Sequence, residues 1–429
     1  MNLERAMKPE TIALHVGYDG DPATNAATTP IYQTTSFTFD NTQHGADLFD
    51  LKVPGNIYSR IMNPTCAVLE ARIAALEGGI GALTLASGMA AITYTVQTLA
   101  SVGDNIVSTS QLYGGTYNLF AHSLPNQGID VRFAGFDDYA KLESLIDANT
   151  KLLFCESIGN PAGNVVDIAK LADIAHRHGV PLVVDNTVAT PYLCRVFDLG
   201  ADIAVHSLTK YIGGHGTTIG GAIVDSGKFD WAANAERFPV LNQPDPSYHG
   251  VVYTEALGEA AFIGRARVVP LRNTGAALSA QSAFQIMQGL ETLALRMDRH
   301  CENAQKVAEY LNSHAKVNWV NYAGLSDSPY HDTCQRLMGG RASGILSFGI
   351  QGGREAGGQF IDTLQLILRL VNIGDAKSLA CHPASTTHRQ LNPDELAAAG
   401  VSEDLVRISV GIEHIDDIIA DIEQALAAV

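Results

Sequence analysis

Short apolar runs alternate with stretches of helical apolar spacing between residue 64 and about residue 225. The first helical stretch opens at Pro64 and closes at Gly78 and Gly79, which favour a helix end. The apolar runs predict strands at 82–86, 105–108, 152–155, 182–184, 203–205 and 219–224. Continuously apolar strands between helices are typical of a mostly parallel sheet with both faces covered. This part of the chain is therefore predicted to be α/β.

The pattern changes beyond about residue 270. A long helical stretch is predicted at 280–313, with strands at 345–350, 370–373 and 407–412. The chain ends on an amphipathic helix that carries Ile415, Ile418 and Ile422 on one side. We therefore expect a large domain at 61–280 and a smaller C-terminal α/β domain at 281–429.

Residues 1–60 show little periodicity and contain Pro22, Pro30 and Pro54. Such a segment has few positions for a core, so it is predicted to be an extended arm that contacts a neighbouring subunit. A loosely packed N-terminus is the alternative interpretation.

Composition narrows the class of function. The chain has 429 residues, which favours two or three domains, and a formal net charge of −17, which argues against nucleic acid as the main partner. Its charged N-terminus and the lack of an apolar run of about 18 residues predict a cytoplasmic protein without a membrane span. The six scattered cysteines form no CxxC pair and are predicted to be free thiols rather than a metal site.

Polar residues follow three of the predicted strands. Ser87 and Gly88 come after the first strand, where a helix N-terminus can bind an anion, although Ser87 could equally be an ordinary helix cap. Asp185 follows three apolar residues, so its carboxylate needs a cationic partner if it is buried and does not simply cap a helix.

The third strand leads into Ser207, Thr209 and Lys210. Two hydroxyls beside one lysine suit a phosphate next to a Schiff base, for which the amine must be desolvated or lie near another cation. A solvated lysine at a strand end is the alternative. Neither GxGxxG nor GxxxxGK[ST] occurs, which weakens an NAD-dependent or P-loop function.

Taken together, these segments resemble the Cys/Met-metabolism family of fold-type I pyridoxal-phosphate (PLP) enzymes. The resemblance covers nearly the whole chain and rests on the segments 58–65, 87–89, 112–116, 156–161, 185–187, 207–210 and 407–411. It implies a PLP cofactor, a fold-type I transferase architecture and a homotetramer whose subunits share active sites.

The resemblance also implies a role for each site residue. Lys210 would form the Schiff base and carry protons, Asp185 would hold the pyridine nitrogen protonated, and Tyr113 would stack on the ring. The remaining residues implied at the cofactor are Ser87, Gly88, Met89, Thr187, Ser207 and Thr209, with Tyr58 and Arg60 reaching the phosphate from a neighbouring subunit. Tyr58 and Tyr113 would assist catalysis, and the substrate carboxylate would lie at Asn160, Ser378 and Arg407.

Two further segments, 242–250 and 374–388, are similar to those of the O-acetylhomoserine sulfhydrylase branch of this family. That similarity implies replacement of the acetate of O-acetyl-L-homoserine by sulfide, or by sulfur from a carrier, to give L-homocysteine. A methionine γ-lyase, a cystathionine γ-synthase and a non-catalytic PLP-binding protein remain alternatives.

Overall fold

The computed structural model describes residues 7–50, 52–386, 389 and 402–429. Residues 1–6 of the predicted arm, and residues 387 and 388 of the branch-like segment, lie outside the described residues.

Within these residues, seven strands form the larger sheet, in the spatial order β1-β7-β6-β5-β4-β2-β3. Their bounds are β1 Gly81–Leu85, β2 Asn105–Thr109, β3 Asp130–Ala134, β4 Thr150–Glu156, β5 Leu182–Asp185, β6 Ile203–Ser207 and β7 Gly221–Asp225. Strands β2 to β6 pair in parallel, and β7 runs antiparallel to both β1 and β6. The mostly parallel sheet expected from the apolar runs is confirmed.

Helices cover both faces of this sheet. In the described part of the chain, the helices of at least seven residues are α1 Pro9–His15, α2 Thr42–Phe49, α3 Pro64–Glu77, α4 Gly88–Leu99, α5 Ile168–Arg177, α6 Ala280–Glu291, α7 Leu293–Asn312, α8 His331–Met338, α9 Gly353–Thr363 and α10 Ile415–Ala427. Successive strand residues point to opposite faces. Val183 therefore joins the core on the side of α4, whereas Val184 joins the core beneath α3 and α5.

A second sheet lies in the C-terminal part. Its five strands, again counted over the described residues, have the order β10-β11-β12-β9-β8. They are β8 Val317–Asn321, β9 Ile345–Ile350, β10 Leu368–Arg369, β11 Leu379–Cys381 and β12 Leu405–Ser409. The smaller α/β unit is confirmed; the domain boundaries at 60 and 280 stay predictions, and α6 packs on α3 of the large domain.

Several predicted elements differ from the structure. The strand expected at 370–373 is wrong, because pairing stops at Arg369. The strand expected from Ile219 begins at Gly221, and Ile219 is exposed. Strand β3 was missed because its residues alternate in polarity at the edge of the sheet. The helix expected at 280–313 is divided at Thr292.

The arm is not extended throughout. Helix α1 packs on α3, and the Arg72 side chain donates hydrogen bonds to the carbonyls of Leu14 and Val16. The segment after α1 is mostly irregular, but it is attached to the start of α3, where Asn63 and Thr65 bond to the backbone of Tyr32. Helix α1 of the arm therefore packs against its own subunit.

Candidate active site

Lys210 lies in a tight turn just beyond β6. Its N–H donates to the Ser207 carbonyl at 3.2 Å, and its carbonyl accepts from Gly214 N–H at 2.7 Å. The Nζ atom donates to Oδ1 of Asn372 at 2.5 Å. Burial, with a contribution from the charge of Arg407, lowers the pKa of Lys210 to about 8. About a tenth of the amine is therefore neutral at pH 7, and the neutral form is the one that acts as a nucleophile or base.

Asp185 is the last residue of β5 and lies in the depth of the cleft, with a narrow accessible edge. Its Oδ1 accepts hydrogen bonds from the backbone N–H and the hydroxyl of Thr187, at 3.0 and 2.5 Å. Burial raises the pKa of this carboxyl. Among the described residues no Lys, Arg or His forms an ion pair with Asp185, although a buried carboxylate is costly without a cation. A protonated pyridine nitrogen fits that need.

An anion pocket is formed where α4 begins. The Ser87 hydroxyl caps this helix by accepting from Ala90 N–H at 3.1 Å, which is the alternative considered for it above. The N–H groups of Gly88 and Met89 belong to the first turn, where no intrahelical acceptor exists. A side chain at Gly88 would place its Cβ 2.7 Å from Cβ of Ser207, so only glycine allows this approach. The pocket fits a phosphate.

Thr187 and Thr209 stabilise the loops around that pocket. The Thr187 hydroxyl accepts from Ser207 N–H at 2.8 Å, which connects the ends of β5 and β6. The Thr209 hydroxyl bonds to both the N–H and the carbonyl of Gly220, at 3.0 and 3.2 Å. Both threonines thus orient the backbone beside Lys210.

Tyr113 is half exposed at the mouth of the cleft, where a ring can lie on it. Its backbone N–H donates to Oε1 of Glu156 at 2.6 Å. Glu156 is the last residue of β4 and pairs in register with Asp185. Glu156 was not among the predicted site residues, although it follows the apolar run 152–155 directly, as Asp185 follows the run 182–184.

Arg407 on β12 points at the same cleft from the C-terminal unit. Its Nη1 donates to Oδ1 of Asn160 at 3.2 Å, and its Nη2 to the Asn372 carbonyl at 3.1 Å. Its Nε is buried without a hydrogen-bond partner among the described residues. A guanidinium with an unused donor can bind a carboxylate. Asn372 contacts both Arg407 and Lys210. It was not predicted as a site residue because it lies inside the segment 370–373, which was expected to be a strand.

Ser378 does not present its polar groups to this cleft. Its N–H and hydroxyl both bond to the Glu413 carboxylate, at 2.6 and 2.9 Å, and its hydroxyl also accepts from Gly411 N–H at 2.8 Å. Substrate binding by Ser378 stays a prediction.

Tyr58 and Arg60 lie together on the arm, with Cζ of Arg60 5.2 Å from the ring centre of Tyr58. Both line a cavity of about 270 Å³ that also involves Thr34, Thr35 and Ser279. Over the described residues, no hydrogen bond joins either of them to Lys210 or Asp185 of the same chain. A role at the site of a neighbouring subunit stays a prediction.

Two further sequence expectations concern metal and membrane. Among the described residues, no group of three or more His, Cys, Asp or Glu side chains could hold a metal ion. Nor does that part of the chain contain a helix long and apolar enough to cross a bilayer. All six cysteine thiols are free and buried.

Comparison with known proteins gives consistent results. The family model for Cys/Met metabolism PLP-dependent enzymes matches residues 10–427. A homocysteine synthase of Schizosaccharomyces pombe is 52% identical over 97% of this chain and 97% of its own. The O-acetyl-L-homoserine sulfhydrylase 1 of Thermus thermophilus is 50% identical over 98% of this chain and 100% of its own.

A solved structure agrees with these relatives. It is a protein of Campylobacter jejuni assigned as an O-acetylhomoserine (thiol)-lyase, with N'-pyridoxyl-lysine-5'-monophosphate at one position. It superposes with a TM-score of 0.95 at 44% identity and covers 98% of this chain and 100% of its own. The lysine, the buried carboxylate and the anion pocket described above are the groups that a PLP site needs. The chain therefore belongs to the Cys/Met metabolism PLP-dependent enzymes.

Proposed function

We propose that this enzyme replaces the acetate of O-acetyl-L-homoserine with sulfide and releases L-homocysteine. The observation that carries the proposal is that the Lys210 amine and the Arg407 guanidinium both contact Asn372, in a cleft that also holds Asp185 and the N-terminus of α4. Relatives named homocysteine synthase and O-acetyl-L-homoserine sulfhydrylase, similar over nearly their full lengths, support this choice of substrate. In the reaction, the bond between the γ carbon and the ester oxygen breaks and acetate leaves. A bond between the γ carbon and the sulfur of hydrogen sulfide forms, and one proton of hydrogen sulfide is released with the acetate.

We propose that PLP is held by residues that follow or end four strands, β1, β2, β5 and β6. The Asp185 carboxylate would face the ring nitrogen, and the Tyr113 ring would cover the pyridine ring. The N-terminus of α4 and Ser207 would bind the phosphate. When bound, PLP supplies an aldehyde for attachment to Lys210 and an electron sink for the carbanion that forms at the substrate α carbon.

Lys210 is the base that moves protons along the substrate. The leaving acetate is on the γ carbon, so protons must be taken from the α and then the β carbon before it can depart, and returned after sulfide adds. A pKa of about 8 lets the amine both accept and release a proton near neutral pH. Asn372 accepts a hydrogen bond from Nζ at 2.5 Å and so fixes where the free amine lies between these transfers.

Arg407 orients the substrate through its carboxylate. We expect Arg407→Lys to lower kcat/KM for O-acetyl-L-homoserine by about 10- to 100-fold, mainly through a higher KM, because lysine keeps the charge but loses the planar fork. Steady-state kinetics measure this change. The exposed Arg354→Lys serves as the control, and an unchanged KM in Arg407→Lys would place the carboxylate elsewhere.

Product analysis tests the function itself. The purified enzyme with O-acetyl-L-homoserine should form homocysteine only when sulfide is added, with little 2-oxobutyrate. Dominant 2-oxobutyrate would identify a γ-lyase, and product formed only with cysteine would identify a cystathionine γ-synthase. Product formed only when a sulfur-carrier protein replaces free sulfide would change the donor and leave the reaction intact.

We further propose a cytoplasmic homotetramer in which Tyr58 and Arg60 of one subunit complete the cofactor site of its neighbour. Two observations support the sharing of the site: among the described residues no hydrogen bond joins Tyr58 or Arg60 to Lys210 of the same chain, and Tyr58 is 40% exposed. In that arrangement Tyr58 could assist the proton transfers.

A further inference from the structure

Glu156 is a buried carboxyl that no step of the proposed reaction uses. Only 4% of it is accessible, and it occupies the end of β4 as Asp185 occupies the end of β5. Since residues in register on parallel strands face the same side of a sheet, the two carboxyls are neighbours. Two buried carboxylates side by side are unfavourable, so the position of Glu156 calls for a specific reason.

The contacts of Glu156 lead to two separate parts of the active site. Its Oε1 accepts from Tyr113 N–H at 2.6 Å, and the backbone N–H of Asn160 faces this carboxyl closely enough to lower its pKa. The ring of Tyr113 would cover the cofactor, whereas the side chain of Asn160 accepts a hydrogen bond from the guanidinium of Arg407 at 3.2 Å. One side chain thus connects the cofactor side of the cleft with its substrate side.

We propose that Glu156 is a positioning residue that holds the Tyr113 and Asn160 loops in register, so that ring stacking and carboxylate binding depend on the same acceptor. This inference rests on the proposed function for its kinetic part. Glu156 acts through the position of its acceptor oxygen and not through a negative charge. A second negative charge beside Asp185 would oppose the ionised form of Asp185.

The protonation of Glu156 agrees with this view. Burial, followed by the charge of Asp185, raises the pKa of Glu156 well above its ordinary value. Glutamine, which has the same length, a carbonyl acceptor and no charge, is therefore the conservative replacement. Aspartate keeps the carboxyl group but withdraws the acceptor by one methylene, which leaves the N–H of Tyr113 without its partner.

The experiment compares holoenzyme variants Glu156→Asp and Glu156→Gln, with the exposed Glu259→Asp as control. Circular dichroism of bound PLP and KM for O-acetyl-L-homoserine are measured together with the thermal midpoint. In Glu156→Asp we expect an altered cofactor signal and a KM raised about fivefold or more, at a similar thermal midpoint. In Glu156→Gln the cofactor signal and KM should stay close to those of the wild type.

Several outcomes would overturn the proposal. Unchanged signal and KM in Glu156→Asp would show that the contact positions nothing. A fall in kcat and thermal midpoint alone would indicate a merely structural residue, and stronger damage in Glu156→Gln than in Glu156→Asp would show that charge is what counts. Because the cofactor signal needs no turnover, it tests Glu156 even if the wild-type enzyme proves not to be a sulfhydrylase.

Discussion

Lys210→Ala should abolish turnover and the yellow absorbance of lysine-bound cofactor together, with kcat reduced by about 10³-fold or more. Alanine removes the amine that is proposed both to attach PLP and to move each proton. The neighbouring Asn372 has no basic atom to replace it, and among the described residues no other lysine bonds to Asn372 or Arg407. Absorbance spectra and single-turnover kinetics measure the two losses on the same sample.

The control for this variant is Lys141→Ala, whose side chain is exposed on the surface of the large domain. It should keep the absorbance and turnover of the wild type. Cofactor should still enter the Lys210→Ala protein, because the anion pocket at α4 and Asp185 are intact. Persistence of the lysine-bound absorbance in Lys210→Ala would contradict the assignment and move the attachment to another lysine.

Asp185→Asn should lower kcat by about 10²-fold or more and weaken PLP binding by about tenfold or more. Asparagine keeps an oxygen that can accept from Thr187, but it removes the charge that is proposed to hold the pyridine nitrogen protonated. Without that proton the ring is a poorer electron sink, so removal of the α proton becomes slower. The kinetic isotope effect on an α-deuterated substrate should therefore increase.

The stability of the same variant should change in opposite directions with and without cofactor. Burial raises the pKa of Asp185 above the value it has in the unfolded chain, so keeping it ionised at neutral pH costs folding free energy. Apo Asp185→Asn should consequently unfold at an equal or higher temperature than the apo wild type. The holo variant should unfold at a lower temperature than the holo wild type, because PLP stabilises it less.

Thermal unfolding with and without PLP checks this reversal. Asp173→Asn, on the exposed side of α5, is the matched control and should leave both midpoints unchanged. A destabilised apo form of Asp185→Asn would mean that this carboxylate supports the fold independently of the cofactor.

Residues whose role depends on their own strand could be predicted from the sequence. Asp185 and Lys210 each follow an apolar run, and the chain direction of a parallel sheet brings such strand ends to one edge. The same local pattern correctly predicted the larger sheet, the smaller C-terminal unit and the glycine at the start of α4. The anion pocket at Gly88 follows from the junction of one strand with one helix.

Other parts of the site depended on pairing between distant segments. Asn372 reaches Lys210 across 162 residues of sequence, and Arg407 reaches Asn160 across 247. The end of β10 at Arg369 and the direction of the Ser378 hydroxyl depend on such contacts. The segment 370–373 was therefore expected to be a strand, and Asn372 was not predicted as a site residue.

The sequence by itself determined the family and the class of fold, and it predicted Lys210 as the attachment lysine and Asp185 as the carboxylate at the ring nitrogen, since each rests on short segments with a local pattern. The tertiary structure alone decided that Glu156 lies beside Asp185, that Asn372 holds the free amine, and that Ser378 bonds to Glu413. The physical reason is that strand register and side-chain direction are set by long-range packing, which local spacing does not contain.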